Sequence, residues 1–216
     1  MSETKVFDVN EIKITGRIRA MRKFGNVLVM TINTRTVSRL YRKGETPQEV
    51  QDSPSIGWYG SNAAIIEEGY QVGDVVNVTA RTQLVSNGPK DQKKTFYQDL
   101  VGTGISPAMK EIDEGFGTET NVGQYCNDVN EAKISGNILK RYAPNPNVTI
   151  ITIESKEKER KSRINVVCLA KNVSAVKKIE DGAHVCITGK VQTRTYMDGE
   201  KKKRTQSILC YNIAEA

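Results

Sequence analysis

The chain has 216 residues, of which 38% are hydrophobic and 26% charged, with a net charge of +7. That is the balance of an ordinary soluble domain, and no apolar run approaches the roughly 18–20 residues of a membrane span. The opening MSETKVFDVN lacks the apolar core of a secretory leader, so a cytoplasmic protein with no membrane contact is expected.

Copied motifs divide the chain. Val9–Ile18 reads VNEIKITGRI and Val129–Ile138 reads VNEAKISGNI, seven of ten residues identical at a spacing of 120. That period is too long for a solenoid unit of roughly 20–50 residues and fits two copies of one small domain. The copies differ in charge. Residues 129–216 carry 17 Lys and Arg against 9 Asp and Glu, net +8, whereas residues 1–128 carry 15 against 16, net −1. A basic half points to a polyanionic partner.

Each copy opens with apolar residues of one parity, Ile12, Ile14 and Ile18 in the first and Ala132, Ile134 and Ile138 in the second, the period of a half-buried strand. Gly16 and Gly136 interrupt these strands at the same place, where a bulge or bend is expected. Second strands follow from Asn26 and Asn147. Residues 39–54, polar and with two prolines, read as a long loop. Third strands are SIGWYG and RINVVCLA, each followed by a helix of about two turns that ends near Gly73 or Gly182. Fourth strands VVNVTARTQLV and HVCITGKVQTRTY lead through NGPKD and MDGEKKK into fifth strands KTFYQDLVG and RTQSILCYNI.

The order β-β-β-α-β-β is that of the OB-fold, a five-stranded Greek-key barrel that binds oligonucleotides on one face. The expectation is therefore an all-β protein of two tandem OB-folds, 1–105 and 129–216. An acidic, Gly- and Thr-rich linker at 106–128 joins them.

Little here serves catalysis, and no enzyme and no cofactor is expected. The single His184 has no second metal ligand at zinc spacing. It shares a strand face with Cys186, but nothing supplies an orienting third group. Phosphate loops and acidic clusters for metals are absent from the sequence. Cys168, Cys186 and Cys210 lie among Val, Leu and Ile and are expected to pack as small hydrophobes.

Single-strand binding needs cations along a backbone track and flat side chains for the bases. The first copy offers Arg17, Arg19, Arg22, Lys23, Phe24, Arg35 and Tyr41. The second offers Lys140, Arg141, Tyr142, Lys171, Lys190, Arg194, Tyr196, Lys202 and Arg204.

The run EDGAHVCITGKVQTRTYMDGEKKKRTQSILCYNI resembles the fourth and fifth strands of bacterial-type single-stranded DNA-binding proteins, with Gly182, Val185, Gly189, Lys190, Val191, Arg194, Tyr196, Asp198 and Arg204 fitting the family's pattern. In the first copy WYGSNAA resembles the family's junction between third strand and helix. The resemblance implies single-stranded DNA as the partner, in replication, recombination, repair or transfer. It implies Tyr59 and Tyr196 as stacking residues, with the second copy holding Leu169 at the Tyr59 position and the first no aromatic near Asn87, at the Tyr196 position. Alternation puts Tyr59 outward and Trp58 in the core, since large aromatics are more often buried than functional. The family commonly ends in an acidic tail, whereas this sequence stops at YNIAEA. Tailless relatives occur on phages, plasmids and other mobile elements, which places the chain in a bacterial or phage-infected cell. A homodimer would bring four barrels together. RNA is a second strand type compatible with these residues. The alternative function is an OB-fold interaction module, an accessory factor of a replication or recombination complex with weak DNA or RNA affinity.

Overall fold

The computed structural model describes residues 7–37, 49–87, 95–108, 128–158 and 160–216, with the backbone alone at Val37, Asn87, Thr95, Lys201 and Lys202. The proposed stretch 109–127 of the linker and Tyr41 lie outside the described residues.

The first barrel is β1 (Asn10–Phe24), β2 (Val27–Val37), β3 (Glu49–Asp52), β4 (Ser55–Tyr59), α1 (Ser61–Gly69), β5 (Val75–Asn87) and β6 (Thr95–Pro107). The second is β7 (Asn130–Asn145), β8 (Val148–Glu157), β9 (Arg160–Leu169), α2 (Lys171–Lys178), β10 (His184–Asp198) and β11 (Lys201–Glu215). In the first, β1 pairs with both β2 and β5, β5 with β6, and β2 with β4. A parallel β4–β6 contact closes the ring. The second closes identically through a parallel β9–β11 contact. These are two OB-folds, as the strand pattern implied.

The first strand must serve two sheets at once. Residues 12–17 of β1 face β5 and residues 17–24 face β2, so the strand coils sharply between them. At Gly16 a Cβ would come within 2.3 Å of the Asn33 carbonyl oxygen, and at Gly136 within 2.3 Å of that of Glu154. Close backbone approach therefore explains both glycines. The register shifts themselves fall later, between Ile18 and Ala20 and between Ile138 and Lys140.

One element was missed. Residues 49–52, inside the stretch read as a loop, form β3 on the edge of β2, with Asp52 opposite Thr34. Glu-Val-Gln-Asp is too short and polar to show a period, and its strand character comes from the pairing.

The duplicated decapeptide meets itself. β1 and β7 run antiparallel, with Ile12 opposite Ala132, its own counterpart. The two copies are thus related by a local twofold. Thr15 N–H donates to the Val129 carbonyl at 2.8 Å and Ser135 N–H to that of Val9 at 2.7 Å, one bond and its mirror. The Glu-x-Lys of each copy becomes self-complementary, with Glu11 opposite Lys133 and Lys13 opposite Glu131. Opposite charges in such cross-strand positions favour the pairing. The repeated asparagines are equivalent too. Asn10 exchanges side-chain bonds of 2.9 Å with the backbone of Thr82, and Asn130 bonds of 2.8 and 2.9 Å with that of Val191. The decapeptide is the seam between the barrels.

Ala170 and Gly60 occupy the same junction before the two helices. Gly60 has φ 62° and ψ −136°, and Ala170 has φ 48° and ψ −121°, a conformation glycine adopts freely and alanine does not. Replacing Ala170 by glycine is expected to raise stability by about 1 kcal/mol, relieving backbone strain of roughly 1–3 kcal/mol. Urea denaturation reads this; a loss of stability would refute it.

Candidate nucleic-acid interface

The corner between β3 and β4 is where the second barrel grips the first. Asp52, 2% exposed, takes the Lys190 ammonium at 2.5 Å and the Thr193 N–H at 2.8 Å. Ser53 N–H donates to the Thr193 hydroxyl at 3.0 Å, and the Arg204 guanidinium donates to the Ser53 carbonyl. Gln206 accepts from Ser55 N–H at 3.0 Å and donates to the Ser55 carbonyl at 3.1 Å. By the local twofold Gln98 does the reverse, accepting from Asn165 N–H at 3.0 Å.

This grip builds a cleft of about 540 Å³ across the seam. Phe24, Val27, Val29, Ser55, Gly57, Tyr59, Tyr97, Gln98 and Asp99 of the first barrel form one side, and Arg204, Thr205 and Gln206 the other. Strand alternation places the aromatics. Ile56 and Trp58 are buried while Tyr59 is 46% exposed, which matches the expected orientation of both Trp58 and Tyr59. The Tyr59 ring folds back over β4. A Cβ at Gly57 would lie 3.0 Å from its Cε2 and Oη, so glycine leaves the floor flat. Phe24 and Tyr97 are also exposed. Tyr59 donates its hydroxyl to Asp99 at 3.0 Å. Burial pushes the Tyr59 hydroxyl up to about 12, and the neighbouring carboxylate adds to this. Burial likewise raises Asp99 from its ordinary value, against hydrogen bonds from Tyr59, Gln83 and the Leu100 N–H. Arg204 is lowered, first by burial and then by the charge of nearby Arg19.

The second barrel has no such platform. Val148 faces Leu169 as Val27 faces Tyr59, so Leu169 and Val167 stand at the Tyr59 and Gly57 positions. Its exposed aromatics are Tyr142 and, on the β10–β11 hairpin, Tyr196, which sits opposite Lys203. Lys203 pairs with Asp198, and Arg194 Nε donates to Gln192 at 3.1 Å.

Not every expected cation reaches this surface. Lys190 is a correction: at 4% exposed it neutralises Asp52 and cannot meet a phosphate. Arg141 is another, since its guanidinium donates to the Val176 carbonyl at 2.8 Å and to that of Ile179 and pairs with Asp181, capping the end of α2. Such carbonyl capping is a helix-terminus role. Arg35 holds Glu49 through two bonds of 2.5 and 2.6 Å. Arg17 donates to the Gly73 carbonyl at 2.6 Å and Lys23 pairs with Glu67 of α1, away from the cleft. Arg19, Arg22, Lys140 and Lys171 are exposed. The side chain of Lys202 lies outside the described residues.

Sequence reasoning also missed Tyr97 and Asp99. The alternation of TFYQDLV, with Leu100 buried, would have turned both outward. Cys186 departs from the packed role expected of it, because it lies on the solvent face of β10, whereas Cys168 and Cys210 are buried. His184 does have a partner, Asp8, at 2.7 Å, which ties the segment before β1 to the second barrel.

Fold and site together define the class: a tandem OB-fold protein with an exposed aromatic cleft spanning its two barrels. Solved structures sharing the fold include the wild-type single-stranded DNA-binding protein from Thermus aquaticus, at 13% identity over 98% of this chain and 94% of that one, TM-score 0.65. A deletion and substitution mutant of the same protein matches at 12% identity over 97% and 95%, TM-score 0.66. No protein-family model and no curated protein sequence matches the chain. Among the described residues no helix is long and apolar enough to cross a membrane.

Proposed function

We propose that the chain is a non-enzymatic, sequence-tolerant single-stranded DNA-binding protein that shields exposed strands during replication, recombination, repair or transfer in the bacterial or phage-infected cytoplasm. The observation that carries this reading is the cleft in which Phe24, Tyr59 and Tyr97 stand exposed beside Arg204. Bases stack on aromatic faces whatever their identity, and adjacent guanidinium groups hold the phosphates. The fold shared with a protein of that name supports it. The two barrels, expected at 1–105 and 129–216, are the two binding units, the first running on through Pro107 at the end of β6, and the stretch between them is their connector. Dimerisation of the chain would supply four barrels, which its mass in solution reads directly.

The test is a titration of a mixed-sequence oligonucleotide as single-stranded DNA, RNA and duplex at several salt concentrations. Each phosphate neutralised on a single strand contributes a slope of roughly −0.7 in log K against log salt. With Arg19, Arg194 and Arg204 engaged, log K is expected to fall by about 2 per tenfold rise in salt. No binding at low salt, or equal affinity for duplex, would contradict the proposal.

The accessory-module reading has one observation in its favour: Lys190, Arg141 and Arg35 hold partners within the protein. It predicts strand affinity indifferent to Tyr59.

A further inference from the structure

The cleft floor carries a carboxylate, which is unexpected where a polyanion is to lie. Asp99 reaches the surface from β6 beside the hydroxyl end of Tyr59, whose ring runs over Gly57 toward it. A nucleobase stacked on Tyr59 therefore has its edge at Asp99. Several other hydrogen-bonding groups of the floor are occupied. Gln98 accepts from Asn165 N–H and donates to the Thr82 hydroxyl, Gln206 is bonded to Ser55, and the Ser55 and Thr31 hydroxyls lie 3.1 Å apart. A carboxylate accepts only and has about four lone-pair sites, so Asp99 retains acceptor capacity beyond its bonds from Tyr59, Gln83 and the Leu100 N–H.

We propose that Asp99 makes this cleft selective among bases, favouring those that present an amino group on the Watson–Crick edge, cytosine above all among pyrimidines, over thymine. This rests on the single-strand reading above and refines it. The amino group of cytosine donates to a carboxylate, the pairing by which Asp and Glu recognise that base elsewhere. Thymine presents two carbonyl oxygens there, flanking its one N–H, and they oppose the carboxylate. The second barrel holds Ser207 at the corresponding register, opposite Gln192 as Asp99 is opposite Gln83. It also has Leu169 in place of Tyr59, so the selectivity belongs to the first barrel alone.

Oligodeoxycytidylate and oligodeoxythymidylate of equal length, titrated at pH 8 and fixed salt into the whole protein, provide the test. They share a backbone charge and a pyrimidine ring. The expected result is a several-fold preference for the cytidylate that collapses in Asp99→Asn, whose amide both donates and accepts. Asp99→Ser, which installs the residue of the second barrel, should lose it equally. Equal affinity of the unaltered protein for the two strands overturns the proposal while leaving strand binding intact. A preference that survives both substitutions overturns it as well. Binding of neither strand defeats the single-strand reading and this refinement with it. Because the unaltered protein already decides the first question, the outcome does not depend on a variant folding.

Discussion

Replacing Lys190 by methionine is expected to destabilise the protein by about 3–5 kcal/mol, the cost of leaving one partner of a buried ion pair without the other. Lys190 is 4% exposed and Asp52 2%, and their 2.5 Å contact joins β10 of one barrel to the β3–β4 corner of the other. With the ammonium gone, the Asp52 carboxylate keeps, among the described residues, the Thr193 N–H and hydroxyl, at 2.8 and 3.3 Å. Equilibrium urea denaturation measures the loss. Pairing Lys190→Met with Asp52→Leu should recover most of it, since an apolar pair is often neutral or better at such sites. A loss below about 1 kcal/mol for the single variant would mean the pair is hydrated and would contradict its structural role. The same corner presents Ser53 to Arg204 and Ser55 to Gln206, so the single variant should also weaken strand binding by displacing one wall of the cleft.

Tyr59→Ala should cost strand affinity about 1–3 kcal/mol, roughly 5–150-fold, with thermal stability little changed, because the side chain is half exposed and lies on the barrel rather than in it. Tyr59→Phe keeps the platform and should retain most of the affinity. Trp58 supplies an internal control. It is 2% exposed and its ring packs against Gly102, where a Cβ would come within 2.6 Å. Its emission should therefore change little when a strand binds, in contrast to a protein whose tryptophan is the stacking surface. Unchanged affinity in Tyr59→Ala, or strong quenching of Trp58, would transfer the site elsewhere.

The barrels were legible because their information is local. Alternation in EIKITGRI and in SIGWYG reports which parity is buried, and it puts Trp58 inward and Tyr59 outward. Gly60 and the helix after it follow from turn chemistry within a few residues. What escaped belongs to pairing at long range. β3 exists because β2 offers it an edge, and Asp52 becomes a buried ion because Lys190 arrives from 138 residues away. A lysine read beside Arg194 looks like a phosphate ligand. Only the packing of the second barrel on the first shows that its charge is already neutralised. Tyr97 and Asp99 are a different case. Their exposure could be read from the period, but their importance comes from adjacency to Tyr59 across two strands, which no window of sequence contains.

The repeated VNE-x-KI motif carries a similar lesson. As a sequence it marks a duplication and the opening strand of each copy. In the structure the two copies are each other's partner, and the cleft is assembled from both barrels because that seam holds them together.

Photocrosslinking with an oligodeoxycytidylate bearing 5-iodocytosine, followed by mass spectrometry of the adducts, tests the central claim most directly. Adducts at Phe24, Tyr59 or Tyr97, competed by unlabelled single strand and not by duplex, are predicted. Adducts confined to surfaces away from the cleft, with those three aromatics unmodified, would contradict it.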